Sequence, residues 1–169
     1  MAQLKQMTNK NKFYIIGTLI LFLFLFYCST KLCMNVAPDE YMRYDIPLFI
    51  YNYSYLPKGD EKEILNAIWG FSYGFTPYLP SIISFFFMKI ASIFTTAPVH
   101  LLIAARLTSV LAGALTFFVC CKIGEEIFNH KMTIYLFAIF VSLLPQFMYV
   151  SLYLNNDSFS IFTTALIVY

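Results

Sequence analysis

The chain has 169 residues, of which 60% are apolar, 20% aromatic and only 12% charged, with a formal net charge of +2. So little charge cannot cover the surface of a soluble domain, and so small a positive excess gives no reason to expect a nucleic-acid partner. Several apolar runs reach the roughly 20 residues needed to cross a hydrocarbon core, which predicts an all-α, polytopic transmembrane bundle.

Residues 1–12 are polar and carry Lys5, Lys10 and Lys12, which the positive-inside rule assigns to the cytoplasm. Residues 13–33 form the first apolar run. The run is long and lacks a small-x-small cleavage site, so it reads as an uncleaved first span rather than a signal peptide. Cys28, Cys33, Cys120 and Cys121 lie in or beside apolar runs without metal-ligand spacing, and are expected to act as small buried hydrophobes.

Residues 34–77 make a long outer loop that sets Asp39, Glu40, Asp45, Asp60, Glu61 and Glu63 against Arg43, Lys58 and Lys62. Pro38-Asp39 reads as a helix start, with Asp39 as cap and Glu40 in the first turn, and Pro47 is expected to interrupt that helix. After the turn Lys58-Gly59-Asp60, the residues Ile64, Leu65, Ile68 and Trp69 recur on one face of a second short helix. A face ending in Trp suits a juxtamembrane helix lying in the plane of the interface.

Residues 78–96 are apolar enough to span but carry Lys89 in their interior, where charge is costly. Residues 101–121 are a second span with Arg106 near its start, residues 122–131 a short polar turn, and residues 132–154 a third span. Asn155-Asn156-Asp157 follows, and residues 159–169 begin a fourth span whose interruption implies a longer protein. Lys122 and Lys131 flank the polar turn and assign it to the cytoplasm. Residues 78–96 are then re-entrant or interfacial, and Asp157 joins Asp39 on the outer side. A multi-pass plasma-membrane protein with a cytoplasmic N-terminus is the expected location.

Pro38-Asp39-Glu40 after the first span, Thr76-Pro77-Tyr78-Leu79-Pro80 leading into an apolar helix, Ala105-Arg106-Leu107-Thr108-Ser109 in the next span, and Leu144-Pro145 before Asn155-Asn156-Asp157 form an ordered set. In this order the chain resembles the N-terminal part of the GT-C superfamily of membrane glycosyltransferases, especially the protein O-mannosyltransferase and aminoarabinose-transferase branch. The resemblance covers residues 13–169. It departs at Phe75-Thr76-Pro77, where the family often has His-Pro-Pro or Lys-Pro-Pro, so no basic donor contact is expected at Thr76.

The resemblance implies inverting transfer of a sugar from a polyprenyl-phosphate carrier to an acceptor hydroxyl on the outer face, the acceptor itself being undefined. Asp39 is then the candidate base. A positioned carboxylate can take the proton that the acceptor loses as it attacks. Arg106 and Arg43 are the candidate contacts to the donor phosphate, since a guanidinium can hold two phosphate oxygens at once. Glu40 and Asp157 are supporting residues, and Asp157 with Asp39 could hold a divalent cation, Mg or Mn, through oxygen ligands. Other roles fit the same residues: a helix cap for Asp39, an i,i+3 pair for Glu40 and Arg43, headgroup contact for Arg106, and a cap in Asn155-Asn156-Asp157. The rival functions are a transporter or lipid flippase and a non-catalytic membrane scaffold. Convergence of Asp39, Arg106 and Asp157 on one cavity distinguishes the enzyme.

Overall fold

The computed structural model describes the backbone of residues 2–169 and the side chains of residues 11–169. The Lys5 and Lys10 side chains, which bear on the orientation of the first span, lie outside the described residues. Among the described residues the chain is helical throughout: α1 Ala2–Lys31, α2 Glu40–Tyr53, α3 Leu79–Ser92, α4 Pro98–Ile127, α5 Lys131–Ser142, α6 Pro145–Val150 and α7 Asp157–Val168, with a 3-10 turn at Tyr73–Phe75. Two segments are long and apolar enough to cross a membrane, Asn11–Lys31 of α1 and Pro98–Ile127 of α4.

Helix α4 is the axis of the molecule. Its 30 residues make it about 45 Å long at 1.5 Å per residue, and α1, α3, α5 and α7 all pack on it. Buried small residues along its length (Ala104, Ala105, Ala112, Gly113, Ala114 and Gly124) let its neighbours come close. Helix α1 runs antiparallel to it: Tyr14 donates to Glu125 at 3.0 Å near one end, and Arg106 donates to the Ser29 carbonyl at 2.8 Å near the other. A core of Tyr14, Leu21, Leu25, Val110, Phe117 and Cys121 fills the seam between them.

The second apolar core joins α2, α3 and the first half of α4 through Tyr44, Met88, Leu101, Leu102 and Ala105. Helix α3 has 14 residues, about 21 Å, short of a hydrocarbon core of about 30 Å. It lies along α4, where Ser84 donates to the Ala105 carbonyl at 3.0 Å and sits 2.8 Å from the Thr108 hydroxyl. Lys89 is exposed on this helix, with its ammonium 4.6 Å from the centre of the Tyr51 ring.

Three local expectations are corrected. Pro47 does not end its helix, because α2 continues to Tyr53 with Pro47 buried inside it. Proline removes one donor there, and packing of Ile46, Phe49 and Ile50 on Ile64 holds the helix on both sides of it. The second juxtamembrane helix does not form. The Asn66 side chain accepts from the backbone N–H groups of Ile68 (2.9 Å) and Trp69 (3.0 Å), closing a turn instead. Ile64 is buried at 1% exposure while Ile68 and Trp69 stand out at 83% and 69%, so they do not share a face.

The third correction concerns residues 132–154, which are not one helix. Helix α5 ends at Ser142, Leu143 and Leu144 break it, and α6 restarts at Pro145. Proline lacks the N–H a continuous helix would need at that point, and it disfavours helical backbone at Leu144 (φ −57°, ψ 124°). Of the cysteines, Cys120 and Cys121 are buried, Cys28 is half-buried and Cys33 is exposed.

Candidate functional site

The candidate residues divide into a buried ion pair and an exposed cluster, both carried by the start of α2. Glu40 is 0% exposed and Arg106 is 1% exposed. Arg106 Nε donates to Glu40 Oε1 at 2.7 Å and Arg106 Nη2 to Glu40 Oε2 at 2.7 Å, a two-pronged pair. Arg106 Nη1 donates to the carbonyls of Ser29 (2.8 Å) and Leu32 (2.7 Å), and Nη2 reaches the Cys33 carbonyl at 3.4 Å. A guanidinium has five N–H groups, and here each has an acceptor. Glu40 Oε1 also accepts the Leu154 backbone N–H at 3.0 Å.

This arrangement corrects the role expected for Arg106. No N–H remains for a donor phosphate, and the charge is already neutralised by Glu40. The side chain instead caps the C-terminal carbonyls of α1 and ties them to α2, α4 and the segment before α7. Glu40 is likewise structural, paired across 66 residues with Arg106 rather than with Arg43.

Asp39, one residue earlier, is exposed and has left-handed backbone geometry (φ 57°, ψ 7°). Its side chain makes no cap hydrogen bond to α2, which corrects the simple cap reading. The carboxylate instead accepts from the Tyr73 hydroxyl at 2.8 Å. The Arg43 guanidinium lies over the same tyrosine ring, 4.4 Å from its centre. Burial raises the pKa of the Tyr73 hydroxyl first, followed by its hydrogen bond to Asp39. The charges of Asp39 and Asp157 push it the same way, and Arg43 opposes them. Tyr73 is therefore the point at which Asp39 and Arg43 meet, and Asp157 reaches it only through its charge. Asp45, on the same helix, takes no part in that meeting, and burial pushes its carboxyl up to about 6.

Asp157 is held by its backbone. Asn155 Oδ1 accepts from the N–H groups of Asp157 (2.7 Å) and Ser158 (3.1 Å) and so caps α7. Asn155 is itself anchored by donating to the carbonyls of Val150 and Tyr153. The exposed Asp157 side chain is left in the first turn.

Beside Arg43 and Tyr73 is a crevice lined also by Thr76, Leu154 and Asn156 among others, and by neither Asp39 nor Asp157, with room for about 10 Å³, the space of one water. Asn156 Nδ2 reaches Thr76 Oγ1 across it at 3.5 Å, the outer limit of a hydrogen bond. Thr76 thus lines the crevice, although the departure at Phe75-Thr76-Pro77 offers no reason to assign it a role. Tyr73 is the residue that sequence reasoning passed over. It is one of 13 tyrosines, and only its long-range bond to Asp39 distinguishes it.

Among the described residues no three His, Cys, Asp or Glu side chains come together as a cation cage. Mg is commonly held by one or two carboxylates together with water and phosphate oxygens, so Asp39 and Asp157 are the residues that would hold such an ion, with the Arg43 guanidinium near Asp39.

No protein-family model matches the chain, and neither a curated protein nor a solved structure is similar to it at a significant level.

Proposed function

We propose that the chain serves a GT-C-type membrane glycosyltransferase that takes a sugar from a polyprenyl-phosphate donor at the outer membrane face. The observation that supports this reading is the meeting of Asp39 and Arg43 at Tyr73, at the opposite end of α4 from the Lys122–Lys131 turn. In the proposed reaction the acceptor oxygen attacks the anomeric carbon from the face opposite the phosphate, and its proton passes to an Asp39 oxygen. The bond from the anomeric carbon to the phosphate oxygen breaks, and its electron pair stays on the phosphate. Arg43, rather than Arg106, stabilises that charge. Tyr73 orients Asp39, and Asp157 orients the acceptor.

The test is transfer of labelled sugar from polyprenyl-phosphate donors by membranes from cells making the protein. Asp39→Asn and Arg43→Gln are each expected to lower the rate on the order of 10²-fold with the protein still folded. Undiminished transfer by Asp39→Asn would overturn its role as base.

The size of the crevice favours a second reading. A space of about 10 Å³ does not admit a sugar, which suits a membrane scaffold whose charges hold helices together. Absence of transfer and of donor binding by the folded protein, with every donor tried, is the outcome that reading expects.

A further inference from the structure

The last turn of α1 and the first turns of α4, with Tyr44 of α2, enclose a groove of about 430 Å³, within the size range of small-ligand sites. Its walls are apolar, with Met34, Val99, Leu102 and Ile103 among them, and Lys31 and Cys33 stand on its lip. Arg106 contributes to the floor, but its charge is cancelled by Glu40 at 2.7 Å. Lys31 has no ion-pair partner among the described residues, and its ammonium rests 5.4 Å from the centre of the Tyr27 ring. The groove therefore combines a hydrocarbon-compatible trough with one uncompensated cation.

The position of that cation limits what can fill the groove. Lys31 ends the apolar segment Asn11–Lys31, so with α1 across a bilayer its ammonium sits at headgroup depth and the trough lies beside it. We infer that this groove is a binding site for an anionic phospholipid of the surrounding bilayer, with one acyl chain along Val99, Leu102 and Ile103 and its phosphate on Lys31. The inference rests on α1 and α4 crossing a bilayer and is independent of the glycosyltransferase reading, because the groove shares no lining residue with the Arg43–Tyr73 crevice.

Cys33 makes the site measurable. It is exposed and lies on the lip, so a seated lipid covers its thiol. The protein with Cys28, Cys120 and Cys121 replaced is placed in nanodiscs of phosphatidylcholine, with or without phosphatidylglycerol, and the rate of modification by uncharged N-ethylmaleimide is followed. Phosphatidylglycerol is expected to slow labelling about fivefold relative to phosphatidylcholine alone, the equivalent of about 1 kcal/mol for one lysine at an anionic surface. An anionic surface also disfavours thiolates in general, so the decisive comparison is Lys31→Gln in the same discs, where the excess protection should vanish. Val99→Trp fills the trough from a side chain that is 66% exposed, so the fold tolerates it, and should restore the rate seen without phosphatidylglycerol. The inference is overturned by equal rates in the two discs, by protection that survives Lys31→Gln, or by equal protection from soluble glycerophosphate. Protection by a polyprenyl phosphate at mole fractions where phosphatidylglycerol has no effect would assign the groove to that lipid and overturn it as well.

Discussion

Arg106 shows how a single residue can carry a different meaning in sequence and in structure. A lone arginine in an apolar run has the same sequence signature whether it faces a phosphate, a headgroup or a buried carboxylate. Its partner Glu40 lies 66 residues away along the chain, and the Leu154 N–H that donates to Glu40 lies 114 residues from that acid, both beyond the reach of any local pattern. Four segments converge on this pair, so its loss has a definite cost. Arg106→Leu leaves the Glu40 charge buried and the Leu32 and Cys33 carbonyls without their guanidinium donor, and a loss of about 3–5 kcal/mol is expected. Arg106→Lys keeps the charge but not the two-pronged geometry or the five donors, so it should rescue only part. The apolar double variant Arg106→Leu/Glu40→Leu removes the unpaired charge, yet the orphaned carbonyls and the Leu154 N–H remain and it too should fall short of wild type. Thermal unfolding in detergent checks the order. A double variant as stable as wild type would show that the backbone contacts contribute nothing. Asp39 and Asp157 were legible because exposed acids beside apolar runs stand out in composition. Tyr73, among many loop tyrosines, did not.

At the scale of elements, legibility follows the range of the signal. Helices α1 and α4 can be counted directly as apolar runs, and both form. The break between α5 and α6 is signalled by Pro145, but the apolar count across residues 132–154 masks it. The Ile64–Trp69 pattern fits helical spacing, yet Asn66 offers its side chain to the backbone and a turn forms in place of the helix. A similar contest between local pattern and packing occurs where the end of α6 crosses α4. A Cβ built on Gly113 would sit 2.5 Å from Ser151 Oγ and 2.7 Å from Ser151 Cβ, and Ser151 is fully buried. Gly113→Ala should therefore destabilise the chain by about 1–3 kcal/mol despite alanine's better helix propensity. Gly113→Ala/Ser151→Gly, which removes the obstructing atoms, should recover most of that loss in the same unfolding assay. Equal stability of Gly113→Ala and wild type would mean that α6 does not lie against Gly113 in solution.

For the whole molecule, what remains to be decided is which groups share a side of the bilayer. The geometry sorts them into two ends. Tyr14, Glu125 and the ring of Tyr135 gather at one end, with Lys122 donating to Glu125 at 2.9 Å, whereas Asp39, Arg43, Tyr73 and Asp157 gather at the other. Helix α3 is too short to reverse that order, so the arrangement needs no crossing by residues 78–96. Single cysteines at Asp39 and Asp157, in a background lacking Cys28, Cys33, Cys120 and Cys121, should therefore react alike with a membrane-impermeant thiol reagent on intact cells. A cysteine at Lys131 should react only after permeabilisation. Labelling of Asp39 with protection of Asp157 would separate the two carboxylates by a bilayer. That result would remove the shared site around Tyr73 and leave the transporter and scaffold readings. Equal labelling at both carboxylate positions, with Lys131 protected, would place the cluster on the outer face. That is the face on which the proposed transfer from a lipid-linked sugar donor needs the cluster to stand.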